Sequence, residues 1–475
     1  MSELIWLTAL ELADLLRRGE VSAVEVLNAH LQQIEAVNPS LNAIVTYLPE
    51  MALELARQAD NRRARGAELG PLHGLPIAHK DLAQTKGIRT TSGSPLYADL
   101  VPEIDDLHIE RLKQAGCITL GKTNVPEFGA GSHTFNPVFG ATHNPYDLTK
   151  TCGGSSGGAA VALAAGMIPI ADGSDMGGSL RNPASFCNVV GFRPSPGRVP
   201  SYPKVSGWST LSVAGPMGRT VQDVALMLRA IAGYDARSPI AIQQPGSVFA
   251  QSLERDFNAV KIAWSPDLGE LPVAPDVLRT IESQLPVFAE LGCALEDAAP
   301  DFRDAYDIFQ TLRAWSFELS FAQPFAEFGE ERFKEAIRWN VARGKRLSAI
   351  DISRAEAKRT ELYHRLRLFM ETFEFLLLPT AQVPPFPIEW EYPEQINGVT
   401  MKTYIDWMMT CAYITVTGLP AISVPCGFTD AGLPVGLQIV GRPNADVAVL
   451  QLAYAFQEAT GFHRRRPALA VATGD

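Results

Sequence analysis

Short apolar runs alternate with longer segments of helical periodicity along most of the chain, and this alternation limits its fold more than any other feature. Each run has the length and composition of a buried strand. The runs are LPIAHK (75–80), CITLGK (117–122), MIPIAD (167–172), VKIAWS (260–265), EFLLLP (374–379), AISVPC (421–426) and GLQIVG (436–441). The pattern predicts an α/β protein in which helices pack over a largely buried sheet.

Helices are predicted before and between these runs. Capping boxes at Thr8 to Glu11 and Ser22 to Glu25 indicate two helix starts, and a third helical stretch covers 51–66. The further helical segments are 105–115, 157–166, 220–233, 273–291, 303–321, 329–343, 351–372 and 445–459.

No linker or internal repeat divides the 475 residues. The Pro-rich segment 379–393 is the nearest candidate for a linker, but strand patterns continue on both sides of it. The late strands are expected to join the same sheet as the early ones. The charged helical span of about 300–372 is expected to be a cap over that sheet. We therefore predict one large domain over residues 1–475.

The charge balance and the cysteine pattern narrow the function classes. The chain has 41 Lys and Arg against 52 Asp and Glu, a formal net charge of −11. An acidic surface repels phosphate backbones and anionic lipid, so neither nucleic acid nor a membrane is an expected partner. The N-terminal MSELIWLTALELADLL lacks a basic region and a cleavage site, which predicts a surface helix instead of a signal peptide. Six isolated cysteines without CxxC spacing favour reduced thiols and a cytoplasmic location.

One motif in the chain matches the nucleotide-binding P-loop, from Gly116 to Thr123. A P-loop needs four loop residues whose N–H groups surround phosphate, and a helix that starts at the final Ser or Thr. Here the four residues are CITL, which is strand sequence, and Pro126 follows almost at once. The context therefore argues against nucleotide binding.

A second motif, GGSSG at 153–157, matches the nucleophile elbow GxSxG of α/β-hydrolases. That fold needs an acid and then a histidine later in the chain. Only His364 and His463 follow, and both lie in charged surroundings typical of a surface. A Ser-His-Asp triad on Ser155 is therefore not expected.

Three further segments place a lysine at the end of an apolar strand and two serines in glycine-rich loops. Lys80 ends the strand GLPIAHK, Ser155 lies in GGSSGG, and Ser179 lies in DMGGSLR. With GKTNVPEF, HNPYDLTKTCGGSSGGAAVALAAG, GFRPSPGRVP, LPAISVPCGF and GLPVGLQIVG in order around them, the chain resembles the amidase signature family of Ser-Ser-Lys hydrolases. The resemblance covers most of the chain. It implies a mixed, twisted β-sheet covered by helices, with the signature region at about 70–200.

The resemblance also implies the roles of the site residues. Ser179 matches the family's nucleophile, Lys80 its general base, and Ser155 the bridging serine that relays the proton, in a strained or cis backbone. The backbone N–H groups of the segment 176–179 match the oxyanion hole. Its residues before the nucleophile are Met176, Gly177 and Gly178. Gly129 matches a position that lines the acyl pocket in relatives, with a plain turn as the alternative.

The chemistry of amide hydrolysis explains why these residue types are needed. A serine hydroxyl requires a base, and a neutral lysine can serve as one. Free lysine has a pKa near 10.4, so keeping it neutral at pH 7 costs roughly 4.6 kcal/mol, which burial at the end of an apolar strand can supply. His79 is the rival base. Neighbours on a strand point to opposite faces, so His79 is expected to face away from the serines.

Residues around the triad receive supporting roles or depart from the family pattern. Asp175 and Arg181 flank the nucleophile and are expected to pair and hold its loop. Cys152 replaces a frequent Pro, and Met176 and Leu180 replace smaller or β-branched residues, which leaves the substrate open. Aromatic and methionine side chains are candidates for a hydrophobic acyl or aryl pocket, with core packing as the alternative: Trp208, Trp315, Phe317, Phe321, Trp339, Tyr404, Trp407, Met408 and Met409.

The sequence thus predicts a stand-alone hydrolase of aryl or alkyl acylamides that needs no cofactor or metal. Esters and carbamates (urethanes) are further small-molecule substrates, because the same kind of tetrahedral intermediate serves all three. The alternative is the amidase subunit of a tRNA-dependent amidotransferase, which needs a companion protein. Both a P-loop module and an inactive binding protein have less support. A homodimer is left open as the assembly.

Overall fold

The computed structural model of the chain describes residues 3–471. Its strands follow the predicted runs and add short ones between them. In chain order they are β1 (Ile44–Tyr47), β2 (Pro76–Lys80), β3 (Ile118–Thr123), β4 (Phe135–Asn136), β5 (Gly140–Ala141), β6 (His143–Asn144), β7 (Asp147–Thr151), β8 (Ile170–Asp175), β9 (Val190–Arg193), β10 (Val213–Gly218), β11 (Lys261–Trp264), β12 (Ala294–Asp297), β13 (Phe375–Pro379), β14 (Gln395–Ile396), β15 (Val399–Thr400), β16 (Ala421–Phe428) and β17 (Pro434–Gly441).

Most helices lie where helical periodicity predicts them, with the segment 273–291 divided in two, but the helices at 181–186, 409–417 and 468–471 are not among the predicted ones. In chain order the helices are α1 (Ala9–Arg18), α2 (Ala23–Leu41), α3 (Pro49–Ala64), α4 (Leu107–Gln114), α5 (Gly157–Ala164), α6 (Arg181–Phe186), α7 (Val221–Ile231), α8 (Pro275–Glu282), α9 (Pro286–Glu290), α10 (Ala305–Phe328), α11 (Glu335–Gly344), α12 (Ala349–Thr372), α13 (Met409–Thr417), α14 (Asp446–Thr460) and α15 (Ala468–Val471). Within the described residues, no helix has both the length and the apolar composition that crossing a membrane requires.

Both predicted capping boxes are formed. The hydroxyls of Thr8 and Ser22 each accept a hydrogen bond of 3.1 Å from the backbone N–H of the glutamate three residues later. Each glutamate in turn accepts from the backbone N–H of the cap residue. These caps satisfy backbone donors at the starts of α1 and α2. Met1 and Ser2, which belong to the predicted N-terminal surface helix, lie outside the described residues.

Eight strands form one mixed sheet, in the order β12-β11-β13-β17-β16-β9-β10-β8. Strand β11 runs parallel to β12 and β13, and the other neighbouring pairs are antiparallel. The late strands β13, β16 and β17 therefore share a sheet with β8, as the sequence predicts. Their residues are almost entirely buried, which explains why the runs are continuously apolar.

The early strands form a separate sheet of three, in the order β1-β3-β2. The sequence predicts a single sheet, and this prediction is wrong for the runs at 75–80 and 117–122. Where β2 approaches β8, the N–H of Lys80 donates to the Asp172 carboxylate at 3.3 Å. The two strands are therefore linked here through a side chain, and they belong to different sheets.

The helices α10, α11 and α12 fill most of the span 305–372, and α10 packs on α11, α12 and α13. Arg313 and Phe317, one turn apart on α10, share a face of that helix. Both are buried and line a cavity together with loop residues that follow β8. This region of the chain therefore supplies one wall of the site described next.

Candidate active site

Lys80 is the last residue of β2, and only 1% of it is exposed. Its Nζ lies 2.8 Å from Oγ of Ser155 and 2.8 Å from Oγ of Ser156. Ser174 on β8 adds its Oγ at 3.1 Å and its carbonyl oxygen at 3.3 Å. The structure therefore brings Lys80 and Ser155 together and adds two serine contacts that sequence reasoning missed.

Burial controls the protonation of this lysine. Removal of the amine from water lowers the pKa of Lys80 to about 7, although Asp175 and Asp172 act in the opposite direction. The groups hydrogen-bonded to Nζ are hydroxyls and a carbonyl, so no directly bonded carboxylate holds the proton. A neutral amine has a lone pair and can accept the proton of Ser155, as a general base must.

Ser155 lies in the loop that leads into α5, after a cis peptide bond between Gly154 and Ser155. The Gly154 carbonyl accepts a hydrogen bond of 2.6 Å from Oγ of Ser132, which helps to hold the loop in place. The N–H of Ser156 donates to the carbonyl of Ser179 at 3.2 Å. These bonds tie the loop of Ser155 directly to the backbone of Ser179.

Asp175 organises the loop that carries Ser179. Its carboxylate accepts from the N–H groups of Gly178 at 2.9 Å and Leu180 at 3.2 Å, and it forms buried ion pairs with Arg181 at 2.9 Å and Arg193 at 3.3 Å. Burial alone would raise the pKa of Asp175, but the arginines hold it well below its usual range. The predicted pairing of Asp175 with Arg181 is confirmed, and Arg193 joins it.

The backbone donors near Ser179 differ in availability. The Gly178 N–H is used by Asp175, whereas the N–H groups of Met176, Gly177 and Ser179 have no acceptor among the described residues. Gly178 has a φ of +116°, and a Cβ there would lie 2.6 Å from Nδ2 of Asn182. Glycine is therefore required at this turn, and the neighbouring N–H groups are free to bind an oxyanion.

Ser155 and Ser179 line one cavity of about 120 Å³. Gly129 also lines it, with a φ of +69°, and a Cβ there would lie 2.7 Å from Leu82 and 3.5 Å from Oγ of Ser155. A side chain at 129 would therefore press against both Leu82 and Ser155. The full lining is Leu82, Phe128, Gly129, Gly131, Ser155, Ser174, Met176, Gly177, Ser179, Ser212, Arg313, Phe317 and Met408.

Two of the candidate pocket residues, Phe317 and Met408, line this cavity. Phe321 lies in the adjoining aromatic cluster, with its ring centroid 5.2 Å from that of Phe128. Trp407 is core, stacked on Phe186, and Trp208 is 76% exposed. The hydrophobic wall of the cavity is thus smaller than the sequence suggested, and Phe128 and Leu82 complete it.

His79 points away from Ser155 and Ser179, as predicted. Its Nδ1 lies 2.7 Å from Asp172, and its Nε2 lies 3.0 Å from the Thr119 hydroxyl. Burial lowers the pKa of His79, which favours a neutral ring. His108 approaches the same carboxylate at 3.6 Å; burial opposes its charge, but Asp172 raises the pKa of His108 above its usual value. This buried cluster holds Asp172, which in turn holds the backbone of Lys80.

The P-loop match and His364 have the structures that the sequence arguments expect, whereas His463, also expected at the surface, is half-buried. Gly121, Lys122 and Thr123 lie inside β3, so the P-loop pattern forms a strand and not a phosphate loop. His364 is exposed on α12. The six cysteines are free and buried, and burial raises the pKa of Cys152 to about 12. Among the described residues, no group of His, Cys, Asp and Glu side chains could hold a metal ion.

We expect Asp175→Asn to lower the free energy of unfolding by about 3–5 kcal/mol, because it leaves two buried arginines without a counter-charge. Urea denaturation followed by tryptophan fluorescence measures the change. The matched control is Asp14→Asn, since Asp14 pairs with Arg17 on an exposed surface of α1. It should change stability by less than about 1 kcal/mol. A similarly small effect at Asp175 would contradict its structural role.

Comparison with known proteins agrees with this geometry. A sequence model of the family described as Amidase matches residues 25–450. The chain is 38% identical to a glutamyl-tRNA(Gln) amidotransferase subunit from Moorella thermoacetica, over 99% of this chain and 100% of that protein. It is 35% identical to the acylamidase of Rhodococcus erythropolis, over 98% and 97%. The crystal structure of a bacterial aryl acylamidase of the amidase signature family superposes with a TM-score of 0.90 at 30% identity, covering 97% and 98%. The chain belongs to the amidase signature family.

Proposed function

We propose that the chain is a stand-alone serine hydrolase that cleaves the C–N bond of aryl or alkyl acylamides through an acyl-enzyme on Ser179. The observation that carries the proposal is the 2.8 Å contact between Nζ of the buried Lys80 and Oγ of Ser155. Ser155 and Ser179 line the same cavity. Lys80 can therefore act as the base, Ser155 as the proton relay and Ser179 as the nucleophile.

Acylation begins with attack of Oγ of Ser179 on the amide carbonyl carbon. A C–O bond forms, the carbonyl π electrons move to oxygen, and the serine proton passes to Oγ of Ser155. Ser155 passes its own proton to the neutral amine of Lys80. The oxyanion accepts hydrogen bonds from the backbone N–H groups of Gly177 and Ser179. The backbone N–H of Met176 is adjacent in the chain to these donors.

Collapse of the tetrahedral intermediate breaks the C–N bond. The leaving nitrogen takes a proton through Ser155, which Lys80 resupplies, and the amine departs. Water then attacks the acyl-enzyme by the same route, with its proton passing through Ser155 to Lys80. Ser179 regains its hydrogen, and the products are a carboxylic acid and an amine. Each proton accepted by Lys80 is returned, so the cycle needs no further acid or base.

The size of the cavity favours substrates with small acyl groups. Its volume of about 120 Å³ is below the 300–1,000 Å³ typical of pockets for drug-sized ligands. Leu82, Phe128, Phe317 and Met408 give it an apolar wall suited to an alkyl or aryl group. Esters and carbamates present the same carbonyl to Ser179, so we propose them as further substrates. The buried, free cysteines are in keeping with the proposed cytoplasmic location.

The second candidate is the amidase subunit of a tRNA-dependent amidotransferase, which the similarity to the Moorella thermoacetica protein favours. Similarity to an acylamidase and to an aryl acylamidase favours a stand-alone enzyme, and the net charge of −11 opposes RNA binding by this chain itself. A screen of the purified chain alone over primary amides, anilides, aryl esters and carbamates separates the two. Turnover of anilides supports the stand-alone enzyme, and no turnover without a companion protein contradicts it.

We expect activity to rise with pH through a single ionisation near pH 7 and to level off above it. The base works only when deprotonated, and burial lowers the pKa of Lys80 to about 7. Each pH unit below that value should therefore reduce kcat about tenfold, and the optimum should lie at about pH 7.5–9. The measurement is a pH–rate profile on an anilide. His79→Ala should retain the acid limb. Loss of that limb in this variant would make His79 the base instead.

A further inference from the structure

Arg313 is the single formally charged residue among the described residues that line the catalytic cavity. It lies on α10 and is 4% exposed. The other lining residues are apolar or are glycines and serines. A buried cation in a wall of this kind is costly unless something compensates its charge.

The protein itself compensates Arg313 only in part. Nη2 donates to the hydroxyl of Tyr404 at 2.8 Å, and Nη1 lies 3.4 Å from Sδ of Met176, a weak acceptor. The Phe317 ring covers one face of the guanidinium at 4.4 Å. Nε is buried and has no partner in the described part of the chain. Of five N–H groups, only two have acceptors there.

Three of the four other buried arginines in the described part of the chain pair with a carboxylate, whereas Arg219 donates to the backbone carbonyls of Ile168 and Leu7. Arg181 and Arg193 pair with Asp175, and Arg198 pairs with Asp446 at 3.0 Å. Arg313 has an aromatic ring, a phenol and a thioether in place of that carboxylate. The missing partner is therefore an anion, and the cavity is the space in which an anion can reach it.

The geometry points to Arg313 as a specificity determinant that binds a carboxylate on the substrate, in addition to the amide that Ser179 attacks. This inference rests on the proposed function and names its substrate class: small amides with a carboxylate on either the acyl or the amine side. A guanidinium offers a planar fork that matches a carboxylate, and the Phe317 ring holds that plane in place. Met176 contacts Arg313 and belongs to the segment 176–179 that is proposed to bind the oxyanion. Neighbouring residues would therefore hold both the carboxylate of the substrate and its scissile carbonyl.

The test uses two pairs of anilides in which a nitro group replaces a carboxylate of nearly the same shape. One pair is glutaryl anilide and 4-nitrobutanoyl anilide, and the other is N-acetyl-4-aminobenzoate and N-acetyl-4-nitroaniline. For at least one pair, the ratio of kcat/KM for the carboxylate to kcat/KM for the nitro compound should be roughly 10- to 100-fold higher in the wild type than in Arg313→Met. The difference should arise mainly from KM. Comparing the variant with the wild type cancels the different reactivities of the two leaving groups.

Two variants make the result decisive. Arg313→Lys retains the charge without the fork and should keep an intermediate preference, which a purely structural role would not give. Arg343→Met is the matched control, because Arg343 contacts Gln310 and the Trp339 ring outside the cavity. It should leave the preference unchanged. Equal carboxylate-to-nitro ratios in the wild type and Arg313→Met for both pairs would overturn the inference.

A binding measurement separates this inference from the proposed function. Glutarate should slow labelling of Ser179 by a fluorophosphonate in the wild type, and acetamide at the same concentration should not. If Ser179 is not labelled at all, the proposed function fails. If Ser179 is labelled and turns over neutral anilides, but glutarate gives no protection and the anilide pairs show no preference, only the role of Arg313 is wrong.

Discussion

Ser179→Ala should abolish acyl-enzyme formation and reduce amide hydrolysis to the background rate. The variant lacks the only hydroxyl assigned to attack the carbonyl, and the oxyanion donors cannot act without a nucleophile. A fluorophosphonate should label the wild type at Ser179, detected by peptide mass spectrometry, and should not label the variant. Stability should hardly change, because loss of one hydroxyl leaves a small cavity.

Ser212→Ala is the matched control for this loss. Ser212 lines the same cavity, but Ser155, Ser156 and Ser174 provide the hydroxyls that contact Lys80. The control should be labelled at Ser179 at close to the wild-type rate. Labelling at Ser155 in place of Ser179 would revive the nucleophile-elbow interpretation and contradict the proposed mechanism.

The sequence predicted β2, β8 and α5 near the site because their signals are local, but it missed the short helix α6 that follows Ser179. The runs at 75–80 and 167–172, which overlap β2 and β8, are short and begin with apolar residues, and capping boxes mark α1 and α2. The resemblance to the amidase signature family identified Lys80, Ser155 and Ser179 as candidate site residues, but it gave no distances between them. The structure adds the contact between Lys80 and Ser155 and the shared cavity.

Other features depend on contacts between distant segments, and no local pattern encodes them. Ser174 reaches Lys80 across 94 positions of the chain, and Asp172 reaches His79 across 93. That same Asp172 carboxylate also accepts from the backbone N–H of Lys80, where the two sheets approach each other. Arg313 lies in a helix whose sequence is ordinary, and only its position beside the cavity singles it out. Spatial neighbours decide these roles.

Lys80→Met should lower kcat for anilides by about 10²–10⁴-fold, because it removes the proposed base and retains most of the side-chain volume. Aryl esters should lose less. An amide nitrogen must be protonated before it can leave, whereas a phenolate departs without a proton. The ratio of anilide to phenyl ester turnover, measured on one preparation, therefore falls in the variant. This ratio does not depend on the fraction of correctly folded enzyme.

Lys122→Met is the matched control, because Lys122 is also a buried lysine at the end of a strand. Burial lowers the pKa of Lys122 to about 8, but its Nζ donates to the Ala83 carbonyl and the Thr85 hydroxyl, away from the catalytic serines. Its loss should destabilise the fold and leave the ratio of anilide to ester turnover unchanged. Equal losses on both substrates in Lys80→Met would mean that Lys80 only positions Ser155. The leaving nitrogen would then need another proton donor.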